Sequence, residues 1–340
     1  MADMNRQWLL ASRPQGMVTE SNFQYHEAPV PELEDGQFLV RNCYIAFEPA
    51  MRGWMDDRPS YIPPIQVGEV MRAVTTGQVV ASKHPDYQPG DCVQGGFGWQ
   101  EYAVTTGKGG LMPASKIPAG ASLTAPLGVL GITGLTAYFG LLDLGQPKGG
   151  ETCVVSGAAG ATGSIAGQIA RIKGCRVIGI AGGPDKCAWL TDAARFDAAI
   201  DYKSEDVAAR LRELCPDGIH IFFDNVGGEI LDAVLAQIAM KARIVLCGGI
   251  SRYNDEELQP GPKNYFNLIL QRARMEGFIL VDYYRRFAEG VQELSGWLDS
   301  GQLIHQEDIQ DGFANAPRTF LRLFEGKNLG KQLLKIADVR

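Results

Sequence analysis

The residues of this 340-residue chain with the clearest chemical potential are three glycines between an apolar run and a helical pattern. The stretch Glu151–Gly174 reads ETCVVSGAAGATGSIAGQIARIKG, with Gly157, Gly160 and Gly163 in its turn. The first two glycines allow a tight turn and close backbone approach to a ligand, and the third allows close packing of helix on strand. A helix that begins at such a turn presents N–H groups to a phosphate, so the pattern predicts a dinucleotide site.

A glycine turn alone also fits an ordinary connection between a strand and a helix, and its surroundings favour one interpretation. The apolar run Thr152–Val155 precedes the turn, and a second apolar run, Arg176–Ala181, follows the helix. Together they form a βαβ unit of about 30 residues, the size typical of dinucleotide-binding units. The context therefore favours the dinucleotide site.

The tip of the second predicted strand indicates which dinucleotide is bound. NAD enzymes commonly place an acidic residue there, on the ribose hydroxyls, whereas this strand ends in Ala181-Gly182-Gly183. Because the tip has no carboxylate, no negative charge there repels a ribose phosphate. Lys186 follows in the next helix, where an ammonium group suits a 2′-phosphate, although most surface lysines are simply solvated. The sequence favours NADP(H), with Asp185 as an adverse charge.

Strands and helices alternate after residue 150, which predicts a parallel, doubly wound sheet. The predicted strands are Thr152–Val155, Arg176–Ala181, Ala198–Asp201, Ile219–Asp224, Arg243–Cys247 and Met275–Val281. The predicted helices are Leu127–Leu144, Asp185–Arg195, Glu205–Leu214, Glu229–Met240 and Tyr283–Ser300.

The chain before Ala125 is rich in glycine, proline and short alternating runs, separated by turn signals such as Gln88–Asp91. This pattern predicts a compact, mostly β domain. The tail, Leu303–Arg340, returns to short β-like pieces and is expected to rejoin that domain. We therefore predict one domain from residues 1–126 and 305–340, and a second from 127–304.

Composition argues against several classes of function. A formal net charge of −7 disfavours nucleic-acid and membrane-surface partners, which need a basic face. The sequence contains no apolar stretch of transmembrane length and no signal-peptide pattern near its start, so a cytoplasmic location is expected. The seven cysteines lack CxxC spacing and the four histidines lack an HExxH pattern, so no metal is predicted.

Seven segments, in order, carry a family resemblance: Pro49–Met55, Gly131–Tyr138, Gly157–Gln168, Phe223–Glu229, Cys247–Asn254, Glu276–Val281 and Gly326–Lys331. They resemble zinc-free members of the medium-chain dehydrogenase/reductase superfamily. The nearest resemblance is to NADPH-dependent alkenal/one oxidoreductases, which include prostaglandin reductases, plant double-bond reductases and curcumin reductases. It implies an α/β fold with a GroES-like β domain plus a Rossmann domain, a homodimer, and NADP(H). Zinc-dependent relatives carry Gly-His-Glu near Val67-Gly68-Glu69, where this chain has no histidine.

The resemblance also implies which residues contact the cofactor, although each of them alone also fits a turn or core position. The 2′-phosphate is expected at Gly182, Lys186 and Tyr202, and the pyrophosphate at Ala161, Thr162 and Gly163. Two loops after the fourth and fifth strands supply Asn225, Val226, Cys247, Gly248, Ile250, Ser251 and Tyr253. The nicotinamide region is expected to contact Phe278, Ile279, Leu280, Pro49, Thr133 and Asn328.

The reaction implied by the resemblance is reduction of the C=C bond of an α,β-unsaturated ketone or aldehyde by hydride transfer to the β-carbon. Negative charge then develops on the carbonyl oxygen, and one hydrogen-bond donor there contributes roughly 3–4 kcal/mol. The candidate donors are Tyr61, which matches a curcumin reductase tyrosine, and Tyr253; each also fits a structural tyrosine. Relatives carry tyrosines at the positions of Ala50 and Leu270, so those hydroxyls are missing here.

The small residue at Ala50 predicts an enlarged pocket for a bulky, apolar enone, with Trp54, Phe97 and Trp99 as candidate walls. Two alternatives stay open: a quinone reductase, since zinc-free relatives of that type share the fold, and a non-catalytic NADPH-binding protein like the lens crystallins from this superfamily. In the enzyme interpretations the expected partner is a small molecule, with neither nucleic acid nor membrane involved.

Overall fold

The computed structural model describes residues 4–109, 112–257 and 259–339. The chain divides into two compact units, one formed by Met1–Gly128 with Glu307–Arg340 and the other by Val129–Gln306. The predicted domain boundaries, after residues 126 and 304, lie two residues before the ends of these units. The domain boundaries themselves stay a prediction.

The first unit begins with short strands, because alternating apolar and polar residues are interrupted by glycine and proline. Strands β1 to β7 span Met4–Leu10, Phe23–Pro29, Phe38–Ala46, Thr75–Ser82, Cys92–Gly95, Tyr102–Thr105 and Ser115–Lys116. Helix α1 spans Met51–Trp54, and 3₁₀ turns span Glu20–Asn22 and Ala125–Leu127. Strands β1 and β2 pair antiparallel in a two-stranded sheet.

The second unit is a six-stranded parallel sheet with connecting helices, which confirms the predicted doubly wound class. Strands β8 to β13 span Thr152–Ser156, Arg176–Ala181, Ala198–Asp201, Ile219–Asp224, Ile238–Leu246 and Arg274–Gly277. Helices α2 to α8 span Ile132–Phe139, Ala161–Ile172, Pro184–Asp192, Val207–Leu214, Gly228–Leu235, Asn267–Leu270 and Phe287–Asp299. The strand order is β10-β9-β8-β11-β12-β13, and every pairing is parallel.

The tail completes the larger sheet of the first unit. Strands β14 and β15 span Glu307–Asp311 and Lys331–Lys335, with helix α9, Ala316–Leu321, between them. Strand β15 pairs parallel with β14 and antiparallel with β3, where Leu333 lies opposite Ala46. The resulting order is β14-β15-β3-β4-β5-β7, and β6 also pairs with β3.

Separate apolar cores stabilise the two units. In the second unit, Val154, Ile178 and Phe222 are fully buried in a cluster that helices α5 and α6 cover. In the first unit, Phe47 and Trp99 are fully buried in a cluster that the tail completes, since it includes residues of β15 and α9. Burial of this apolar surface supplies the main driving force for each fold.

Several predicted elements have different bounds in the structure. Residues 238–240, predicted as helical, begin β12, because Ile238 pairs with Ile219 and tertiary pairing overrides helical propensity. The strand predicted over Met275–Val281 ends at Gly277, and residues 280–286 form 3₁₀ turns, so α8 begins only at Phe287. The helix predicted over Leu127–Leu144 divides into α2 and a π-helical segment, Gly140–Gly145.

Candidate active site

The glycine turn joins β8 to α3 and packs closely against the N-terminus of that helix. Gly157 has a φ of +57°, the left-handed region in which glycine is favoured. A Cβ atom on Gly163 would lie 2.4 Å from the carbonyl oxygen of Gly157 and 3.0 Å from the Cα of Ala158. The close packing predicted for Gly163 is confirmed. Its contact with a pyrophosphate, like that of Ala161 and Thr162 at the helix start, stays a prediction.

The strand order reverses between β8 and β11, and a buried hydrogen-bond network joins their carboxyl ends at this point. The hydroxyl of Ser156 donates to Oδ1 of Asp224 at 2.7 Å. The backbone N–H of Asn225 donates to the Ser156 hydroxyl at 2.8 Å, and its side-chain amide donates to the Ser156 carbonyl at 2.7 Å. In open α/β sheets ligands bind at such a reversal, so Asn225 is held at the expected position.

Asp224 is the buried centre of this network. Its side chain has no exposed surface, and Oδ1 also accepts the N–H groups of Val226 and Gly227 at 3.0 Å each. Among the described residues, Oδ2 has no hydrogen-bond partner. Burial raises the pKa of the Asp224 carboxyl, while hydrogen bonds from Gly227, Ser156 and Val226 oppose the rise. The turn that carries Asn225 and Val226 is therefore fixed from beneath.

The loop after β12 is tied to the loop after β11 by backbone hydrogen bonds. The carbonyl oxygen of Asp224 accepts the N–H groups of Cys247 and Gly248 at 2.9 and 3.0 Å. The N–H of Ile250 donates to Asn225 at 3.2 Å, and the hydroxyl of Ser251 donates to the carbonyl of Val226 at 2.6 Å. The structure thus brings the predicted residues of both loops together.

Tyr253 turns back onto its own loop. The hydroxyl oxygen of Tyr253 accepts the N–H of Gly249 at 3.2 Å, and a Cβ atom on Gly248 would lie 3.0 Å from that oxygen. The ring is partly buried. These contacts give Tyr253 a role in holding the loop, and its predicted catalytic role stays untested by the geometry.

The tip of β9 lies beneath two side chains from the end of β10. A Cβ atom on Gly182 would lie 2.8 Å from Cε1 of Tyr202 and 2.9 Å from Cε of Lys203. Lys186 is partly buried in the first turn of α4. The predicted residues Gly182 and Tyr202 therefore lie together at the end of one strand pair, with a cation, Lys203, that no sequence pattern indicated, and Lys186 lies in the helix that follows.

The residues expected around the nicotinamide in the second unit lie after β13 and in α2. The ring of Phe278 covers Gly140, where a Cβ atom would lie 2.3 Å from Cζ of the ring. Ile279 is 37 % exposed, Leu280 is partly buried, and Thr133 is buried in the first turn of α2. The Phe278 ring is thus used for packing, while Ile279 remains accessible.

In the first unit, Tyr61 lies in a loop after α1 and half of its surface is exposed. Its hydroxyl oxygen accepts the indole N–H of Trp54 at 2.9 Å. Burial of the hydroxyl raises the pKa of Tyr61, the hydrogen bond from Trp54 opposes this, and the charge of Glu48 adds to it. Tyr61 is therefore protonated at neutral pH.

Pro49 and Asn328 lie in two loops of the first unit that an ion pair joins. Glu48, just before Pro49, pairs with the ammonium group of Lys331, which also donates to the carbonyl of Phe47 at 3.2 Å. Asn328 precedes Lys331, and its side-chain amide donates to the carbonyl of Gly330 at 2.9 Å. Both predicted residues are partly buried, and their contact with a nicotinamide stays a prediction.

Comparison with known proteins gives the same two-part architecture. The family described as N-terminal domain of oxidoreductase matches residues 6–112, and the family described as zinc-binding dehydrogenase matches residues 161–296. The chain is 45% identical to the NADPH-dependent curcumin reductase of Escherichia coli (strain K12), with 98% of this chain and 97% of that protein covered. It is 37% identical to the 2-alkenal reductase (NADP(+)-dependent) of Nicotiana tabacum, with 98% of each covered.

A solved structure agrees over the same length. The crystal structure of CurA in complex with NADPH from Vibrio vulnificus superposes with a TM-score of 0.93 at 42% identity, covering 98% of this chain and 99% of that one. The chain belongs to the medium-chain dehydrogenase/reductase family. Its two units are therefore the GroES-like and Rossmann parts of that family, and the predicted fold class is confirmed.

In this medium-chain dehydrogenase/reductase, all three predicted pocket walls are core residues. Trp99 has no exposed surface and packs against Phe47 and Phe23 at ring-centroid distances of 5.0 and 5.2 Å. Phe97 is buried over Gly95, where a Cβ atom would lie 2.5 Å from its ring. Trp54 is buried in the same cluster as Trp99. The prediction that these three side chains line an open pocket is therefore wrong, because each is packed in a buried cluster.

In residues 4–109, 112–257 and 259–339, no group of three or more His, Cys, Asp or Glu side chains is arranged to hold a metal ion. No helix within these described ranges is both long enough and apolar enough to cross a membrane.

Proposed function

We propose that this reductase uses NADPH to saturate the C=C bond of α,β-unsaturated ketones and aldehydes. The full-length relatives that carry the names curcumin reductase and 2-alkenal reductase support this substrate class. The structural observation that carries the proposal is the hydroxyl of Tyr61, whose oxygen accepts the Trp54 N–H and whose own hydrogen can be donated.

The Rossmann part fits NADP(H). Glycine at position 163 lets the start of α3 pack closely on the turn, and the N–H groups of this first helical turn can donate to a pyrophosphate. The strand tip at Gly182 carries no carboxylate of its own. The nearby Asp201 carboxylate is engaged by the backbone, because its Oδ1 accepts the N–H groups of Gly183 and Lys203 at 2.8 and 3.0 Å. Lys186 and Lys203 supply positive charge for a 2′-phosphate.

When bound, NADPH supplies the hydride that adds to the β-carbon of the substrate. The C=C π electrons then shift so that charge develops on the carbonyl oxygen as an enolate, and the α-carbon takes a proton from a side chain or water to give the saturated product. An indole N–H can only donate a hydrogen bond, so the Tyr61 oxygen is the acceptor and its O–H remains available for that carbonyl oxygen. Tyr253 is the second candidate donor, although its oxygen is engaged with Gly249.

The first experiment is NADPH oxidation, with NADH in parallel, over a panel of alkenals, aryl enones and quinones, with product masses measured. We expect products two hydrogens heavier at the C=C bond, with NADPH preferred. Tyr61→Phe should lower kcat on enones by about 100-fold, the effect typical of one lost oxyanion donor, with little change in the Kd for NADPH. Tyr253→Phe serves as the comparison variant.

The same panel tests the two alternatives. Hydroquinone formation without C=C reduction would indicate a quinone reductase, and tight NADPH binding without turnover would indicate a crystallin-like binding protein. Either result would overturn the proposed function while leaving the fold unchanged. The expected partner is a small molecule, without zinc, nucleic acid or membrane.

A homodimer in the cytoplasm is part of the proposal. Strand β13 is at the end of the sheet, and Ile269, Leu270 and Val281 near it are each more than half exposed. An open strand edge with exposed apolar residues favours pairing with a second copy. Light scattering should give about twice the 36.9 kDa mass of one chain, and a monomer at micromolar concentration would contradict this.

A further inference from the structure

Trp54 is a buried tryptophan whose polar atom reaches the candidate donor hydroxyl. It ends α1, is 5 % exposed, and belongs to the apolar cluster that contains Met51, Met55 and Ile65. Its indole N–H donates to the hydroxyl oxygen of Tyr61 at 2.9 Å. We propose that Trp54 is a positioning residue that orients the hydroxyl of Tyr61 for donation to the substrate carbonyl. This inference rests on the proposed function.

The loop that carries Tyr61 is closed on Trp54 by two separate contacts. The backbone N–H of Ile65 donates to the carbonyl of Trp54 at 2.8 Å, which fixes the far end of the loop. The indole N–H then fixes its middle through Tyr61. Arg72 holds the remaining part, since its guanidinium donates to the carbonyl of Pro64 at 3.1 Å. The half-exposed tyrosine is thus attached to the core by one side-chain hydrogen bond.

The direction of that hydrogen bond decides what Tyr61 can do. Indole nitrogen has no acceptor capacity, so the tyrosine hydrogen is not used by Trp54 and is available to another acceptor. Accepting a hydrogen bond also makes a phenol a stronger donor, because it stabilises negative charge on the oxygen. The negative charge of Glu48 raises the pKa of Tyr61, and Glu48 itself forms an ion pair with Lys331.

Loss of the indole N–H should therefore change the titration of Tyr61 as well as the rate. Trp54 lowers the pKa of Tyr61, against the larger effect of burial. Trp54→Phe should move the alkaline decline of kcat to higher pH, since the phenol keeps its proton longer. We expect kcat on enones to fall about tenfold, equivalent to the loss of about one hydrogen bond, with little change in the Kd for NADPH.

Trp99 offers a matched control within the same cluster. It is fully buried, and among the described residues its indole nitrogen has no hydrogen-bond partner. Trp99→Phe removes the same atoms from the same core without touching Tyr61. It should affect thermal stability but should not move the alkaline limb of the pH profile or the Tyr61 titration.

The test combines Trp54→Phe, Tyr61→Phe, the double variant and Trp99→Phe. Protein labelled with 3-fluorotyrosine gives a ¹⁹F signal for Tyr61, assigned as the signal missing in Tyr61→Phe. We expect its pKa to rise in Trp54→Phe alone, and the double variant to be no slower than Tyr61→Phe. Independent, multiplicative losses in the double variant, or an unchanged Tyr61 titration, would overturn the inference.

A second measurement does not depend on the folding of Trp54→Phe. The five tryptophans give five indole ¹⁵N–¹H signals, and Tyr61→Phe should shift one of them because Trp54 loses its acceptor. If none shifts, the inference fails. These spectra need no substrate. Failure of the protein to reduce any enone would therefore refute the proposed function, while the spectra would still report on the Trp54–Tyr61 contact.

Discussion

The cofactor end of the Rossmann part and the tyrosine loop of the GroES-like part are held in different ways. The former is fixed by backbone turns and by the fully buried Ser156 and Asp224. The latter carries a half-exposed tyrosine held by one side-chain hydrogen bond from Trp54. A binding site formed by backbone groups is changed mainly by substitutions that move the backbone. The position of a loop held by one side chain can instead be changed by replacing that side chain.

The largest effect should come from crowding the glycine turn. A Cβ atom in Gly163→Ala would lie 2.4 Å from the Gly157 carbonyl oxygen, so the helix start must move away from the turn. We expect the Kd for NADPH, measured by fluorescence titration, to rise about 100-fold, since displacement weakens several N–H contacts together.

Gly296→Ala is the matched control for that variant. Position 296 lies in α8 with nothing near the added methyl group, so alanine should stabilise the helix by about 1 kcal/mol without affecting NADPH. Tight NADPH binding by Gly163→Ala would show that the glycine turn tolerates displacement. The cofactor end would then be no more rigid than the loop that carries Tyr61.

The next effect concerns the two lysines near Gly182. Lys186→Ala and Lys203→Ala should each lower the preference for NADPH over NADH by about tenfold, because each removes a charged contact to the 2′-phosphate. Lys108→Ala, an exposed lysine of the other unit, is the control. Comparison of kcat/KM for the two cofactors decides which lysine matters; a preference unchanged in both variants would contradict the assigned phosphate site.

A smaller effect, selective for bulky substrates, is expected at Ala50 in the GroES-like part. Ala50→Tyr places a ring beside α1, where Ala50 is partly exposed against the core cluster. We expect kcat/KM to fall about tenfold for bulky aryl enones relative to small alkenals, as steric exclusion from a pocket would produce. An unchanged substrate profile would show that the small residue does not enlarge the pocket.

The smallest effect should appear in stability against pH. Burial raises the pKa of Asp224 above 3.8, so ionisation costs the folded state stability as pH rises above that value. Asp224→Asn cannot ionise, and its melting temperature should improve relative to the parent between about pH 4 and pH 7. A difference that is constant over this range would argue against a buried carboxyl with a raised pKa.

Local pattern was sufficient for much of the second unit and for the position of its glycine turn. Strands β9, β10 and β11 have the predicted bounds, because apolar runs between turn signals identify buried parallel strands. The start of β12 was missed, since only pairing with β11 makes Ile238 a strand residue. Contacts such as Trp54 with Tyr61, and the burial of Trp99, depend on tertiary packing and have no local signal.

Strand β15 determines when the first unit can finish folding during synthesis. It lies between β14 and β3, and its partner residues in β3 were made nearly three hundred positions earlier, as with Leu333 and Ala46. The whole of 129–306 is synthesised before that partner exists. Residues 44–46 of β3 therefore wait unpaired on the nascent chain, although residues 38–41 can already pair with β6. Loss of residues 331–335 would therefore leave the tyrosine-bearing unit without an inner strand, while the nucleotide-binding sheet would already be complete.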